Sequence, residues 1–220
     1  PANILFRAEP FGLVPDVAVL TQPMAIAVHA LRRGRPRAGE TVVVIGAGGI
    51  GAFLIYALAR AGASVVAIDV STERLRAAQR LGAHATGTEL GPLGVTPSLV
   101  YEVSGTDAGL AAAIGGVEPG GRVVSVGIAK HPVAVDARRV TVKELELIGT
   151  NALIGADDVP EAARLLSLDQ ALWSEVAPVA IPLDDLVRDG IEPMLDGRTG
   201  RIKTIVDPWT HEIRATARGR

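Results

Sequence analysis

Gly46, Gly48 and Gly51 stand in the spacing G-x-G-x-x-G, with Ala47, Gly49 and Ile50 between them, after the apolar run TVVVI and ahead of an Ala/Leu-rich stretch. A turn of this kind that opens a helix presents main-chain N–H groups and a positive helix end to a pyrophosphate. Gly46 permits the tight turn, Gly48 lets the backbone approach the phosphates, and Gly51 allows close helix packing on the sheet. Eighteen residues after Gly51, Asp69 ends a second apolar run, with Val70 beside it. A carboxylate there accepts hydrogen bonds from both adenosine ribose hydroxyls and repels a 2′-phosphate, so the pattern points to NAD rather than NADP. The competing reading of Asp69 is a plain N-cap of the following helix. Arg74, five residues on, lies along the adenosine or else is a solvated early-helix charge.

Two further apolar runs close on Val103-Ser104-Gly105 and Val126-Gly127-Ile128. Open α/β sheets bind ligands at the C-terminal ends of their strands, which makes Val103, Ser104, Gly127 and Ile128 candidates, against ordinary strand-end turns. Candidates for catalysis are Gln22, His29 and Asn151, and none has a partner in sequence that defines a role. His29 lies in the apolar stretch AIAVHAL and reads as a packed or capped histidine. His84 and His131 are solitary, and neither a His pair at i, i+4 nor a Ser/His/Asp set is visible.

The elements that must position these residues follow from the same pattern. Helical spacing runs from Pro23 to Arg33, with the proline at a first turn and two arginines at the end. TVVVIG and SVVAID predict buried strands around a helix over about 49–61, and STERLRAAQRLGA predicts the next helix, ending at Gly82. HATG, SLVYEVSG, RVVSVG and LELIGT supply further strands, with a helix in TDAGLAAAIGGV. Continuous rather than alternating apolar strands imply a parallel sheet covered on both faces. The fold class expected is therefore α/β, a doubly wound Rossmann-type parallel sheet of six strands over 23–152. The loop TELGPLGVTP is short for a crossover between parallel strands. Residues 1–22 read as an arm, 153–208 as an accessory lobe of two helices and a strand, and 209–220 as a basic tail without pattern.

Composition narrows the function classes. With 22 Lys and Arg against 24 Asp and Glu there is no basic field for nucleic acid or an anionic membrane, so a small molecule is the expected ligand. The absence of cysteine rules out disulfides and thiolate-bound zinc in these residues. Apolar runs are interrupted well short of the ~18 residues of a membrane span, and no signal-peptide pattern is present, which makes a cytoplasmic location the expectation.

The pieces QPMAIAVHALRR, GETVVVIGAGGIG, AIDVSTERLRAAQRLGA, EPGGRVVSVG, KELELIGT and GRIKTIVDP resemble, in order, the medium-chain dehydrogenase/reductase family, in its zinc-type alcohol, polyol and threonine dehydrogenase branch. The resemblance covers about residues 14–208. It implies a Rossmann domain followed by the closing part of a substrate domain. It places Gly46, Gly48, Gly49, Ile50 and Gly51 on the pyrophosphate, Asp69, Val70 and Arg74 on the adenosine, and Val103, Ser104, Gly127 and Ile128 on the adenine and nicotinamide side. Lys203 matches a basic position that reaches the cofactor phosphates. It also implies hydride transfer between NAD and an alcohol or ketone, and a homodimer formed through the edge of the Rossmann sheet. The family's GroES-like domain, with its zinc-binding Cys and His-Glu pair, is not among these 220 residues, and Gln22 stands where relatives carry an acidic residue or Cys. A neutral amide is a poor zinc ligand, so zinc is not expected here. A noncatalytic NAD-binding or dimerisation subunit, or a metal-free non-redox enzyme using the nicotinamide-side cleft, are the competing expectations.

Overall fold

The computed structural model describes residues 6–196 and 200–217; the first five residues of the expected arm, residues 197–199 and the last three of the tail lie outside them. The strands are β1 (Thr41–Ile45), β2 (Ser64–Ile68), β3 (Ala85–Gly87), β4 (Leu99–Glu102), β5 (Arg122–Ser125), β6 (Glu146–Gly149), β7 (Val179–Ile181), β8 (Ile205–Val206) and β9 (Arg214–Ala215). The helices are α1 (Pro15–Ala18), α2 (Thr21–Gly34), α3 (Gly51–Arg60), α4 (Thr72–Arg80), α5 (Asp107–Gly116), α6 (Ala137–Val142), α7 (Gly155–Ser167) and α8 (Glu192–Leu195).

Six strands form one sheet in the order β3-β2-β1-β4-β5-β6, all parallel. The alternation of side chains explains why the strands are apolar without a break. Val42, Val44, Ala67, Leu99, Tyr101 and Val124 point to one face, under α2 and α3. Val43, Ile45, Val66, Ile68, Val100 and Val123 point to the other, under α5. Each Val, Leu or Ile among them contributes about 1.5–3 kcal/mol on burial, and polar residues on either face would forfeit it. Trp173 stacks on Phe53 at 5.3 Å and meets Tyr56 edge-on at 4.9 Å, which carries the first core into the C-terminal lobe. Among the described residues no helix is long and apolar enough to cross a membrane.

Several expectations are corrected. The first long helix starts at Thr21, so Pro23 is its third residue, where its missing N–H would have had no intrahelical partner. The β3–β4 connection does cross two strands without an α-helix. Leu90, Leu93 and Val95, around a 3-10 turn at Gly91–Leu93, pack on the second core in place of a helix face. The segment 183–195 is not one helix but a 3-10 turn (Leu183–Asp185), a π-helical stretch (Leu186–Ile191) and α8. Gly190 and Pro193 explain the break, one by low helix propensity and the other by lacking an N–H.

The accessory lobe holds a second sheet in the order β8-β7-β9. The tail expected to be patternless supplies β9, which pairs antiparallel with β7. Arg214 holds it there: its guanidinium spans Asp16 at 2.7 and 2.9 Å and reaches Asp207 at 2.7 Å, while the Ala217 N–H donates to Asp16. The Arg214 guanidinium keeps the Asp16 carboxyl below the usual carboxylate range.

Candidate functional site

The strand order reverses direction between β1 and β4, and the loops leaving those strands at their C-terminal ends diverge to leave a crevice. The crevice opens into a cleft of about 1000 Å³ with Gly46, Gly48, Gly49, Asp69, Arg74 and Ser104 on its walls. Gly46 turns the chain at φ +97°, and a side chain there would press on the Ser104 amide nitrogen 2.8 Å away. A methyl group added to Gly51, the first residue of α3, would collide with the Gly46 carbonyl oxygen. The surface beside Gly48 and Gly49 is open apart from two cations. Arg74 Nη1 lies 3.5 Å, and Lys203 Nζ 3.4 Å, from where a Cβ would stand on each. Ile50 is the N-cap position of α3, so the loop ends on the positive end of that helix.

Asp69 is buried at the end of β2, and its carboxylate is fixed by the backbone. Oδ2 accepts from the Ala47 N–H at 2.8 Å, and Oδ1 from the Ser71 N–H at 2.9 Å. The N-cap of α4 is Ser71, which accepts from the Arg74 N–H, so the capping reading of Asp69 does not describe this carboxylate. A carboxylate has about four acceptor sites, and two remain for a ligand. Arg74 Nη1 stands 3.7 Å from Oδ2, bridging Asp69 to the glycine loop. Val70, 88% exposed, lies on this cleft, and Ile128, 84% exposed, on the smaller cavity that shares Val103 with it.

Lys203 enters from the C-terminal lobe, its N–H bonded to the Val176 carbonyl at 2.8 Å. Burial pulls its ammonium below the ordinary lysine value. A half-buried cation beside a glycine loop suits an anionic ligand that would favour its charged form.

Of the catalytic candidates, Asn151 lines a smaller cavity of about 410 Å³ with Val103, Gly127 and Ile128. Gln22 lines a different, mostly apolar cavity of about 700 Å³ between the arm and α7. His29 turns into the α2–α7 seam, its Nδ1 3.0 Å from Asp158, a fully buried carboxylate that also meets Arg32 at 2.9 Å and the Ile154 N–H at 2.6 Å. Among the described residues no three His, Cys, Asp or Glu side chains gather as metal ligands. With no cysteine and a neutral Gln22, the donor set does not fit a catalytic zinc ion. Sequence reasoning missed Glu102, which ends β4 beneath this site. An acid closing the otherwise apolar run LVY was the signal.

The sheet order and this crevice define a dinucleotide-binding type of α/β fold. The profile of the zinc-binding dehydrogenase family matches residues 49–167, just over half the chain, and the chain belongs to that family. It is 30% identical over 214 residues to L-threonine 3-dehydrogenase of Bacillus subtilis, an alignment that takes in 92% of this chain and 61% of the relative. It is 31% identical over 154 residues to human sorbitol dehydrogenase, covering 64% of this chain and 43% of that protein. The crystal structure of 2R,3R-butanediol dehydrogenase from Bacillus subtilis superposes with a TM-score of 0.76 at 27% identity, over 86% of this chain and 56% of that one. The chain thus spans about three fifths or less of the length of these relatives.

Proposed function

We propose that this chain binds NAD(H) in the β1–β4 crevice and forms the cofactor-holding part of an oxidoreductase acting on alcohols or polyols. The observation that carries the reading is Asp69, buried and oriented by Ala47 and Ser71 at the mouth of a loop that requires glycine at Gly46 and Gly51. Gly46, Gly48, Gly49, Ile50 and Gly51 would hold the pyrophosphate, with Lys203 as counter-charge. Asp69, Val70 and Arg74 would hold the adenosine, and Val103, Ser104, Gly127 and Ile128 would shape the nicotinamide side. The bound dinucleotide supplies the hydride acceptor or donor; the chain's own groups bind, orient and exclude water. No step is assigned to a metal, because the described side chains do not fit one. The experiment is titration of the chain with NADH and NADPH by fluorescence, followed by an alcohol and polyol panel with and without added zinc. NADH binding in clear preference to NADPH supports the cofactor reading, and equal affinity for the two sinks it.

A second reading starts from β6, an edge strand whose Leu147 is 43% exposed. It makes the chain a noncatalytic NAD-binding subunit that pairs with a second copy along that edge. NADH binding with no turnover in the panel above favours this reading over the first.

Lys203 adds a pH dependence. Phosphate binding would raise its depressed pKa, so affinity is level while the lysine is charged in the free protein and falls as pH rises through its free-state value. Calorimetric titration with NADH between neutral and alkaline pH should show the fall beginning below the ordinary lysine range. Lys203→Met should lose about tenfold at neutral pH, a charge-assisted contact's worth, together with the alkaline fall.

A further inference from the structure

We infer that Glu102 is a positioning residue: its carboxylate and its carbonyl together set the two loops that form the nicotinamide side of the crevice. This rests on the dinucleotide reading above. Glu102 is the last residue of β4 and is 2% exposed. A carboxylate removed from water in this way must find donors, and it finds them in the next loop. Oε1 accepts from the Ser104 N–H at 2.8 Å and from the Ser104 hydroxyl, and Gly105 N–H is shared between Oε1 and Oε2 at 3.1 and 3.2 Å. Successive N–H groups converging on one anion form a nest of the kind that ordinarily holds a bound phosphate, and here the protein fills it with its own side chain.

The hold extends in both directions. Ser104 Oγ lies 2.8 Å from Thr106 Oγ1, and Thr106 caps α5 by accepting from the Gly109 N–H at 3.0 Å. A Cβ on Gly109 would stand 2.6 Å from Glu102 Oε1, so the first turn of α5 is seated on the carboxylate. On the other side, the Glu102 carbonyl oxygen accepts from the N–H groups of Val126 at 2.8 Å and Gly127 at 2.9 Å, which fixes the chain leaving β5. Gly105, at φ +66°, and Gly127 then pack backbone against backbone with no room for a side chain on Gly127. Val103 lies on both the main cleft and the Asn151 cavity, at the junction that this arrangement sets. The glycine loop and Asp69, by contrast, bond to β2 and α4 and not to Glu102.

Glu102→Gln tests the assignment, because it keeps the shape and one acceptor oxygen for Ser104 but removes the charge and turns an amide NH2 toward the Gly105 N–H that the two carboxylate oxygens share. NADH should bind about tenfold more weakly, the loss of one charge-assisted contact, while ADP, which carries the adenosine and the pyrophosphate but no nicotinamide riboside, stays within about twofold. Amide hydrogen exchange should quicken at Ser104, Gly105 and Gly127 and remain unchanged at Val43 and Val66. Ser104→Ala, a milder change that keeps the carboxylate, should give the same pattern at smaller size, and it carries the test if Glu102→Gln does not fold. Equal weakening of NADH and ADP, or faster exchange spread evenly over the sheet, would overturn the inference, as would unchanged NADH affinity. If the unmutated chain binds no NADH, the cofactor reading fails on its own, and the exchange pattern alone then decides whether Glu102 sets the loops.

Discussion

Gly51→Ala is expected to abolish dinucleotide binding and to lower the melting temperature by about 6–12 °C. The added methyl meets the Gly46 carbonyl oxygen, and both groups are main chain, so no rotamer change relieves the overlap. Gly46 has no freedom to retreat, because its own turn at φ +97° already abuts Ser104. Overpacking in a dense core costs about 1–3 kcal/mol, and a clash confined to backbone falls at the upper end. At about 2–4 °C per kcal/mol for a chain of this size, 3 kcal/mol gives the stated range. Affinity suffers more than stability, because the strain is relieved only by opening the turn that presents the N–H groups of Gly48 and Gly49. Thermal melting and NADH titration of the same preparation check both halves. A variant that melts within 2 °C of the parent and still binds NADH would show that the turn is not the binding element.

The second large effect is at Asp69. Replacement by Ala removes two ribose acceptors at about 1.5–3 kcal/mol each when charged, so NADH should bind roughly 10–100-fold more weakly after partial compensation by water. It also removes the charge that opposes a 2′-phosphate and frees Arg74, now 3.7 Å from Oδ2, to meet that phosphate. The preference between NADH and NADPH should therefore collapse to parity or invert. Asp69→Asn separates the two causes. Its amide oxygen can still accept from Ala47, which keeps the glycine loop in place, while the repulsion is gone. Dissociation constants for both dinucleotides with both variants provide the measurement, and an unchanged NADH preference in Asp69→Ala would exclude the carboxylate as the selector.

The cofactor side of this molecule was legible because its constraints are local. A turn that needs glycine at fixed spacing and an acid at the end of the next strand leave marks in consecutive residues. The six-stranded sheet was legible for a related reason, since strands covered on both faces cannot tolerate polar interruptions. What was lost lies in long-range pairings. His29 and Asp158 are 129 residues apart, and neither run of sequence names the other. β7 and β9, of three and two residues, are too short for any period to register. Glu102 was hidden for a different reason: apart from the Ser104 hydroxyl its partners are main-chain N–H groups, which every sequence has.

The clasp at the lobe has a consequence for how the molecule comes apart. Asp16 and Arg214 are 198 positions apart, so their contact closes a loop comprising most of the chain. Closing a loop of that length costs about 2 kcal/mol more in chain entropy than pairing β1 with β2, whose residues lie about twenty apart. The clasp therefore belongs to the late side of the folding barrier. Its strength is expressed in the rate at which the native state opens, and hardly at all in the rate at which it forms.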